Sequence, residues 1–179
     1  MRIISGKFKG RSLTAAKSIP ARPTTDYAKE SLFNILQHEI SWPDISMLDL
    51  FAGIGAISIE AISRGAKTVL SLDNNYHSIR WISQMSKDLN INNLQAIKAD
   101  AQSWLNQNER QFDLVFADPP YEYDQYERLI TSVLEKVLMN EGLFILEHRQ
   151  NISFEEHANF AQDRKYGEVK FTFFRNKEI

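Results

Sequence analysis

Residues 46–73 read SMLDLFAGIGAISIEAISRGAKTVLSLD. A short apolar run, SMLDLF, carries an acid, Asp49. A loop with Gly53 and Gly55 follows. AISIEAIS then runs at helical spacing until Gly65 stops it, and a second apolar run, KTVLSLD, ends in another acid, Asp73. Strand, loop, helix and strand at these lengths make a βαβ unit, which lays its two strands parallel.

The alternation continues through helix 76–90 (YHSIRWISQMSKDLN), strand 94–100 (LQAIKAD), helix 101–108 (AQSWLNQN), strand 112–118 (FDLVFAD), helix 125–139 (QYERLITSVLEKVLM) and strand 142–148 (GLFILEH). This predicts an α/β fold: a mostly parallel sheet with right-handed crossovers and helices on both faces. YGEVKFTFFR at 166–175 alternates like an added edge strand. At the other end, RIIS and RSLT flank GKFKG and predict a small hairpin. Leu32, Ile35, Leu36 and Ile40 place a helix over 24–40, with Thr25 or Asp26 as its cap. Trp42-Pro43-Asp44 breaks that pattern. The expected division is an N-terminal hairpin-and-helix extension, 1–43, and a main domain, 44–179.

The 179 residues are 43% hydrophobic and 25% charged, a composition that excludes disorder. Absence of cysteine excludes a disulfide framework and a thiolate nucleophile. His38, His77, His148 and His157 are scattered without metal-ligand spacing, so no metal site is expected. No run reaches membrane-spanning length, and the N-terminus lacks the apolar run of a signal peptide. A soluble, cytoplasmic protein is expected. Residues 1–30 hold seven Lys/Arg against two acids, whereas the whole chain carries a net charge of −2. A basic arm on an acidic body suggests an anionic partner met by one end of the molecule.

In an open parallel sheet, ligands bind beyond the carboxyl ends of the strands. Asp49, Asp73, Asp100 and Asp118 stand at four of those ends and Glu147 at the fifth. Any one of them fits an ordinary helix cap. Four along one edge repel one another and call for ligand donors or a cation. The glycine loop lacks the third glycine of a dinucleotide fingerprint and the GK[ST] of a P-loop. An acid before the loop also repels phosphate. Asp73 lies 24 residues after Asp49, near the roughly 20-residue spacing at which a carboxylate meets ribose hydroxyls. S-adenosylmethionine fits the set: its ammonium suits Asp49, its ribose Asp73 and its adenine Asp100.

At the fourth strand end stands Asp118-Pro119-Pro120-Tyr121. A carboxylate and a proline carbonyl can both accept from an exocyclic NH₂ group, and the ring can stack on the base that carries it. Such a nitrogen is a poor nucleophile because its lone pair is delocalised. Two fixed acceptors favour its pyramidal form, and the acid stabilises the positive charge that develops. A base held in a stack must leave it to reach the pocket.

These residues resemble a known family. DLFAG-x-GA-x-x-x-EA-x-SRGA at 49–66 and DPPY at 118–121 are similar to class I methyltransferases acting on exocyclic amines, which have a Rossmann-like fold. MRIISGKFKGR (1–11), RPTTD (22–26), KESLFN (29–34), Glu147-His148 and RKYG (164–167) resemble the RsmD family of bacterial 16S rRNA guanine-N2 methyltransferases. The resemblance implies methylation of one guanine N2 in 16S rRNA, within the assembled or assembling 30S subunit. It implies that Asp49, Gly53 and Gly55 hold the methionine end of the cofactor, Asp73 its ribose, and Asp100 with Ala101 its adenine. Phe51 and Asn74 join that cofactor site. Asp118, Pro119 and Tyr121 would form the catalytic platform, with Pro120 against the substrate, and Arg22, Thr24 and Asp26 would help place RNA or the cofactor. Tyr27 departs from the family pattern, where a basic residue is expected, and Asp73 replaces the more usual glutamate. Two rivals remain: the same chemistry on adenine N6 in DNA or RNA, and a non-catalytic RNA-binding protein. A monomer is expected.

Overall fold

The computed structural model describes residues 2–14, 19 and 25–176. The chain runs through α1 (Asp26–Glu39), a 3₁₀ turn (Trp42–Asp44), β1 (Ser46–Asp49), α2 (Ala56–Ser63), β2 (Thr68–Asp73), α3 (Tyr76–Asp88), β3 (Leu94–Lys98), α4 (Ala101–Gln107), β4 (Phe112–Ala117), α5 (Tyr126–Ser132), a π-helical turn (Val133–Val137), β5 (Leu138–Arg149), β6 (Phe160–Tyr166) and β7 (Val169–Arg175). The strands form one sheet in the order β3-β2-β1-β4-β5-β7-β6. β1 to β5 pair parallel. β7 runs antiparallel to both β5 and β6. The order reverses at β1, between β2 and β4, so a crevice opens beyond the ends of β1 and β4.

The alternating strands and helices lie where the sequence predicts. Three elements differ. The 166–175 strand is not an edge: β7 sits inside the sheet, its Phe171, Phe173 and Phe174 fully buried. The true edge is β6, whose mixed sequence FAQDRKY carries the charges that protect an exposed strand from pairing with another chain. The helix expected over 125–139 stays α-helical to Ser132 and then widens into the π-turn, because β5 begins as early as Leu138. Among the described residues the expected N-terminal hairpin has no named strands: it is closed by one isolated bridge, Arg2 to Ser12, and by the hydrogen bonds from Ile3 N–H to the Arg11 carbonyl and from Gly10 N–H to the Ile3 carbonyl, each 2.9 Å.

The N-terminal segment packs into the main core. Ile3, Phe8, Leu13, Leu32, Phe33 and Leu36 share one buried cluster with Ile59, Ile62 and Phe171. Polar groups fix the same junction. Glu60, on α2 and fully buried, accepts from the backbone N–H of Ile4 at 2.8 Å and of Ser5 at 3.1 Å. It also pairs with Arg64 at 2.9 Å and with the buried Lys29 at 3.8 Å. Lys29 in turn donates to the carbonyl of Arg2 at 2.6 Å. Burial pushes the Lys29 ammonium below its ordinary pKa, against the opposing pull of Glu60. Thr25 caps α1 by accepting from the Ala28 N–H.

The loop of the arm closes the carboxyl end of α2. Lys7 N–H donates to the Ser63 carbonyl at 2.7 Å, and Phe8 N–H to the Ser63 hydroxyl at 3.0 Å. Gly6 permits this approach: its φ is +80°, and a Cβ there would lie 1.7 Å from the Ser63 carbonyl oxygen. Backbone cannot yield that distance, so Gly6→Ala must lift the arm from α2. The expected cost is about 2–4 kcal/mol, the range of severe core disruptions. Thermal unfolding and protease cleavage of the arm measure it. A melting temperature equal to that of the unaltered protein would contradict the packing described.

Candidate active site

A cavity of about 780 Å³ opens beyond the carboxyl ends of β1, β2, β4 and β5. Its wall includes Asp49, Phe51, Gly53, Asp73, Asn74 and Asp100 on one side, and Asp118, Pro119, Pro120 and Tyr121 on the other. Six of the eight expected cofactor residues and the DPPY platform therefore share one enclosure, while Ala101 lines only the smaller cavity beside it. A smaller cavity of about 240 Å³ adjoins it along Phe51, Asp100, Ala101 and Tyr123. Gly55 does not line the main cavity. It is the N-cap of α2 with φ +74°, and a Cβ there would meet Ile82 at 2.9 Å. It shapes the loop from behind.

Asp49 is buried on β1. One of its oxygens accepts from the Ser58 hydroxyl at 2.6 Å, and Ser58 in turn lies 2.7 Å from the Ser71 hydroxyl. The other oxygen, Oδ1, is buried without a donor among the described residues. A buried carboxylate oxygen left without a partner is costly. Burial above all, with a smaller push from the Asp73 carboxylate and against the opposing Ser58 hydrogen bond, raises the Asp49 pKa to about 7. A ligand ammonium would repay both deficits, so the residues present fit the methionine end of S-adenosylmethionine.

Asp73 has a structural duty that the sequence did not reveal. Its two oxygens accept from Gly53 N–H at 2.7 Å and from Asn75 N–H at 2.8 Å. It pins the glycine loop against the β2–α3 turn, and a ribose contact would use the remaining lone pairs. Asp100 caps α4 by accepting from Ser103 N–H at 2.8 Å, so the helix-cap reading holds for one of its oxygens.

Asp118 sits immediately after β4, half-buried, and receives no hydrogen bond from any described residue. Burial, then the neighbouring Glu147 and Asp49 carboxylates, hold its pKa well above the usual carboxylate range. The Pro120 carbonyl is taken by Tyr123 N–H at 2.9 Å. No described donor takes the carbonyl of Pro119. Asp118 and Pro119 thus offer two acceptors at one strand end, held there by two successive prolines. Tyr121 is 38% exposed at the rim, with the Arg149 guanidinium 4.8 Å above its ring.

Asp26 does not reach the cavity wall, whereas its neighbours Thr25 and Tyr27 do. Asp26 points instead toward the arm, 3.5 Å from Arg2 N–H and 3.9 Å from Lys29. Arg22 and Thr24 lie outside the described residues. The structure adds wall residues that sequence reasoning did not assign: Phe116, Tyr123, Tyr126, Arg149 and Tyr166. Tyr126 follows the DPPY turn closely and was within reach of that motif. Tyr166 and Arg149 arrive from distant strands and carry no local signal. His148 is satisfied: its Nδ1–H donates to the Arg149 carbonyl, and Nε2 accepts from the Thr172 hydroxyl at 2.7 Å. Burial holds it below its ordinary pKa, so it stays neutral. Among the described residues no group of acids and histidines can hold a metal, and no helix is long and apolar enough to cross a membrane.

The family described as conserved hypothetical protein 95 matches residues 1–175. Ribosomal RNA small subunit methyltransferase D of Haemophilus influenzae is 31% identical, over 98% of this chain and 94% of that protein. The protein of the same name from Escherichia coli K12 is 33% identical over 82% of this chain and 74% of its own length. Among solved structures, yhhF of Escherichia coli superposes with a TM-score of 0.86 at 29% identity, covering 99% of each chain. The T. thermophilus 16S rRNA N2 G1207 methyltransferase RsmC, in complex with AdoMet and guanosine, shares the fold alone: TM-score 0.72 at 21% identity, over 88% of this chain and 45% of that one. With a match that spans almost its full length, a class I methyltransferase sheet and DPPY at the end of β4, the chain belongs to the RsmD family of methyltransferases.

Proposed function

We propose that the protein methylates the exocyclic N2 of one guanine in 16S rRNA. The observation that carries this reading is the placement of two acceptors that no described residue donates to, the Asp118 carboxylate and the Pro119 carbonyl, in the same cavity as the Asp49 oxygen that also lacks a donor among the described residues. S-adenosylmethionine, when bound there, supplies an electrophilic methyl group. Asp49 holds the ammonium of its methionine end. Asp73 and Gly53 keep the loop tight against it, and Asp100 with Ala101 faces its base.

The chain's own residues then act on the acceptor. The Asp118 carboxylate and the Pro119 carbonyl each accept one N–H of the guanine amine. That turns its lone pair away from them and out of conjugation with the ring. As the nitrogen gains positive charge, Asp118 stabilises it. The amine's surplus proton leaves after transfer, with Asp118 as the nearest acceptor. Tyr121 supports the face of the base. A cavity of about 780 Å³ is within the size range that encloses a nucleoside cofactor and a base together.

A guanine inside folded RNA must swing out of its stack to enter. The basic segment 1–43 serves as an RNA-binding extension that holds flanking phosphates. The substrate is the assembled or assembling small subunit, and the enzyme acts as a cytoplasmic monomer. Incubation of small subunits lacking the modification with labelled S-adenosylmethionine, followed by nucleoside analysis, tests the reading. N2-methylguanosine is expected. N6-methyladenosine, or no label in RNA, would contradict it.

A further inference from the structure

We infer that Arg149 holds the RNA phosphate beside the flipped guanine; this deepens the reading just given and rests on it. The main cavity is lined by seven carboxylates, Asp118, Glu122, Glu147 and Glu168 among them. A polyanion approaching that wall is repelled unless something offsets the charge. Arg149 is the sole lysine or arginine lining the cavity among the described residues. None of the acids binds it: the ion pairs found among the described residues do not include Arg149. A guanidinium that pairs with no described carboxylate keeps its donor fork for a ligand, and that fork matches a phosphate bidentately.

The position excludes the obvious small-molecule role. Arg149 is the last residue of β5, next to β4 and DPPY. The cofactor's methionine end belongs at β1, which lies on the far side of β4 from β5. The arginine therefore stands on the acceptor side. Its guanidinium carbon lies 4.8 Å from the centroid of the Tyr121 ring, a cation–π contact that holds it beside the residue proposed to support the base. The guanidinium donates to no described residue, which leaves its N–H groups for the backbone of an extruded nucleotide. Arg149 is exposed, so ordering it does not require opening the core.

The test compares the unaltered enzyme with Arg149→Met and Arg149→Lys on undermethylated small subunits over a series of KCl concentrations, with S-adenosylmethionine affinity measured by calorimetry. For Arg149→Met, KM for the subunit is expected to rise about tenfold, as for loss of one charge-assisted contact. The slope of log affinity against log salt should fall by about 0.7–1, the value of one phosphate contact. Cofactor affinity should not change, which also reports that the variant is folded. Arg149→Lys keeps the charge but not the fork, so it should keep the slope while KM rises by a few-fold. A purely structural role would not move the salt slope. Equal KM and slope in all three proteins would overturn the inference, as would a loss confined to cofactor affinity, which would assign Arg149 to the cofactor's carboxylate. If the unaltered enzyme transfers nothing to the subunit, the functional reading itself fails; if it does and Arg149→Met matches it, the phosphate contact alone is refuted.

Discussion

Asp118→Ala is expected to lower kcat on small ribosomal subunits about 100- to 1,000-fold, the usual cost of removing one preorganised group that stabilises developing charge. Affinity for S-adenosylmethionine should change little, since the cofactor's methionine end is assigned to Asp49, at the end of β1. Asp118→Asn retains an acceptor oxygen but not the charge, so its rate should fall between the two. pH gives an independent reading. Burial and the Glu147 and Asp49 carboxylates raise the Asp118 pKa, so the free enzyme retains the proton at this site further up the pH scale than an ordinary acid does. Only the ionised form accepts both from the amine and its developing charge. Activity must therefore rise with pH through a value above the usual carboxylate range. A cation in the cavity favours the ionised form, so this acid limb should move to lower pH at saturating cofactor. Equal rates for Asp118→Ala and the unaltered enzyme would remove the catalytic role of the acid.

The second large effect belongs to Asp49. Asp49→Asn should weaken S-adenosylmethionine binding about 10- to 100-fold, as expected for loss of a charged hydrogen bond of about 1.5–3 kcal/mol. Because Asp49 titrates at about 7, binding of an ammonium should tighten as pH rises through that value and should release a proton below it. Calorimetry in buffers of different ionisation enthalpy reads that proton directly, and Asp49→Asn should abolish it. The linked effect on stability has the opposite sign. Between the ordinary carboxylate value and about 7, the folded protein holds a proton that the unfolded chain has lost. This group's contribution to stability therefore declines as pH rises across that window, and the decline is complete above 7. Bound cofactor should restore it. A pH-independent affinity would show that Asp49 does not meet the ammonium.

Most of the sheet was legible in the sequence, because runs such as TVLSLD and FDLVFA are bounded by acids, glycines and prolines that punctuate them. The pieces that were not legible share a physical cause. β6 alternates weakly, with Asp163, Arg164 and Lys165 in succession as suits an exposed edge, so FAQDRKY gives no strand signal in the sequence. The apolar spacing of Leu129, Ile130, Val133, Leu134 and Val137 continues smoothly through a helix that in fact widens, because burial of the same face suits either winding. At the site, the positions of the acids could be read from strand ends, but their duties could not. Asp73 accepts from two backbone N–H groups at 2.7 and 2.8 Å, Asp49 accepts from the Ser58 hydroxyl and keeps its Oδ1 without a close donor among the described residues, and only the folded loop distinguishes the two. Arg149 and Tyr121, 28 positions apart, meet through the pairing of β4 with β5, which no local pattern encodes.

The most direct measurement is a structure of the enzyme with the demethylated cofactor product and guanosine. The guanine amine is expected within hydrogen-bond distance, about 2.7–3.2 Å, of both the Asp118 carboxylate and the Pro119 carbonyl, with the cofactor's ammonium on Asp49. Guanine bound with its amine turned away from Asp118, or a cofactor whose ammonium lies elsewhere than Asp49, would contradict the mechanism.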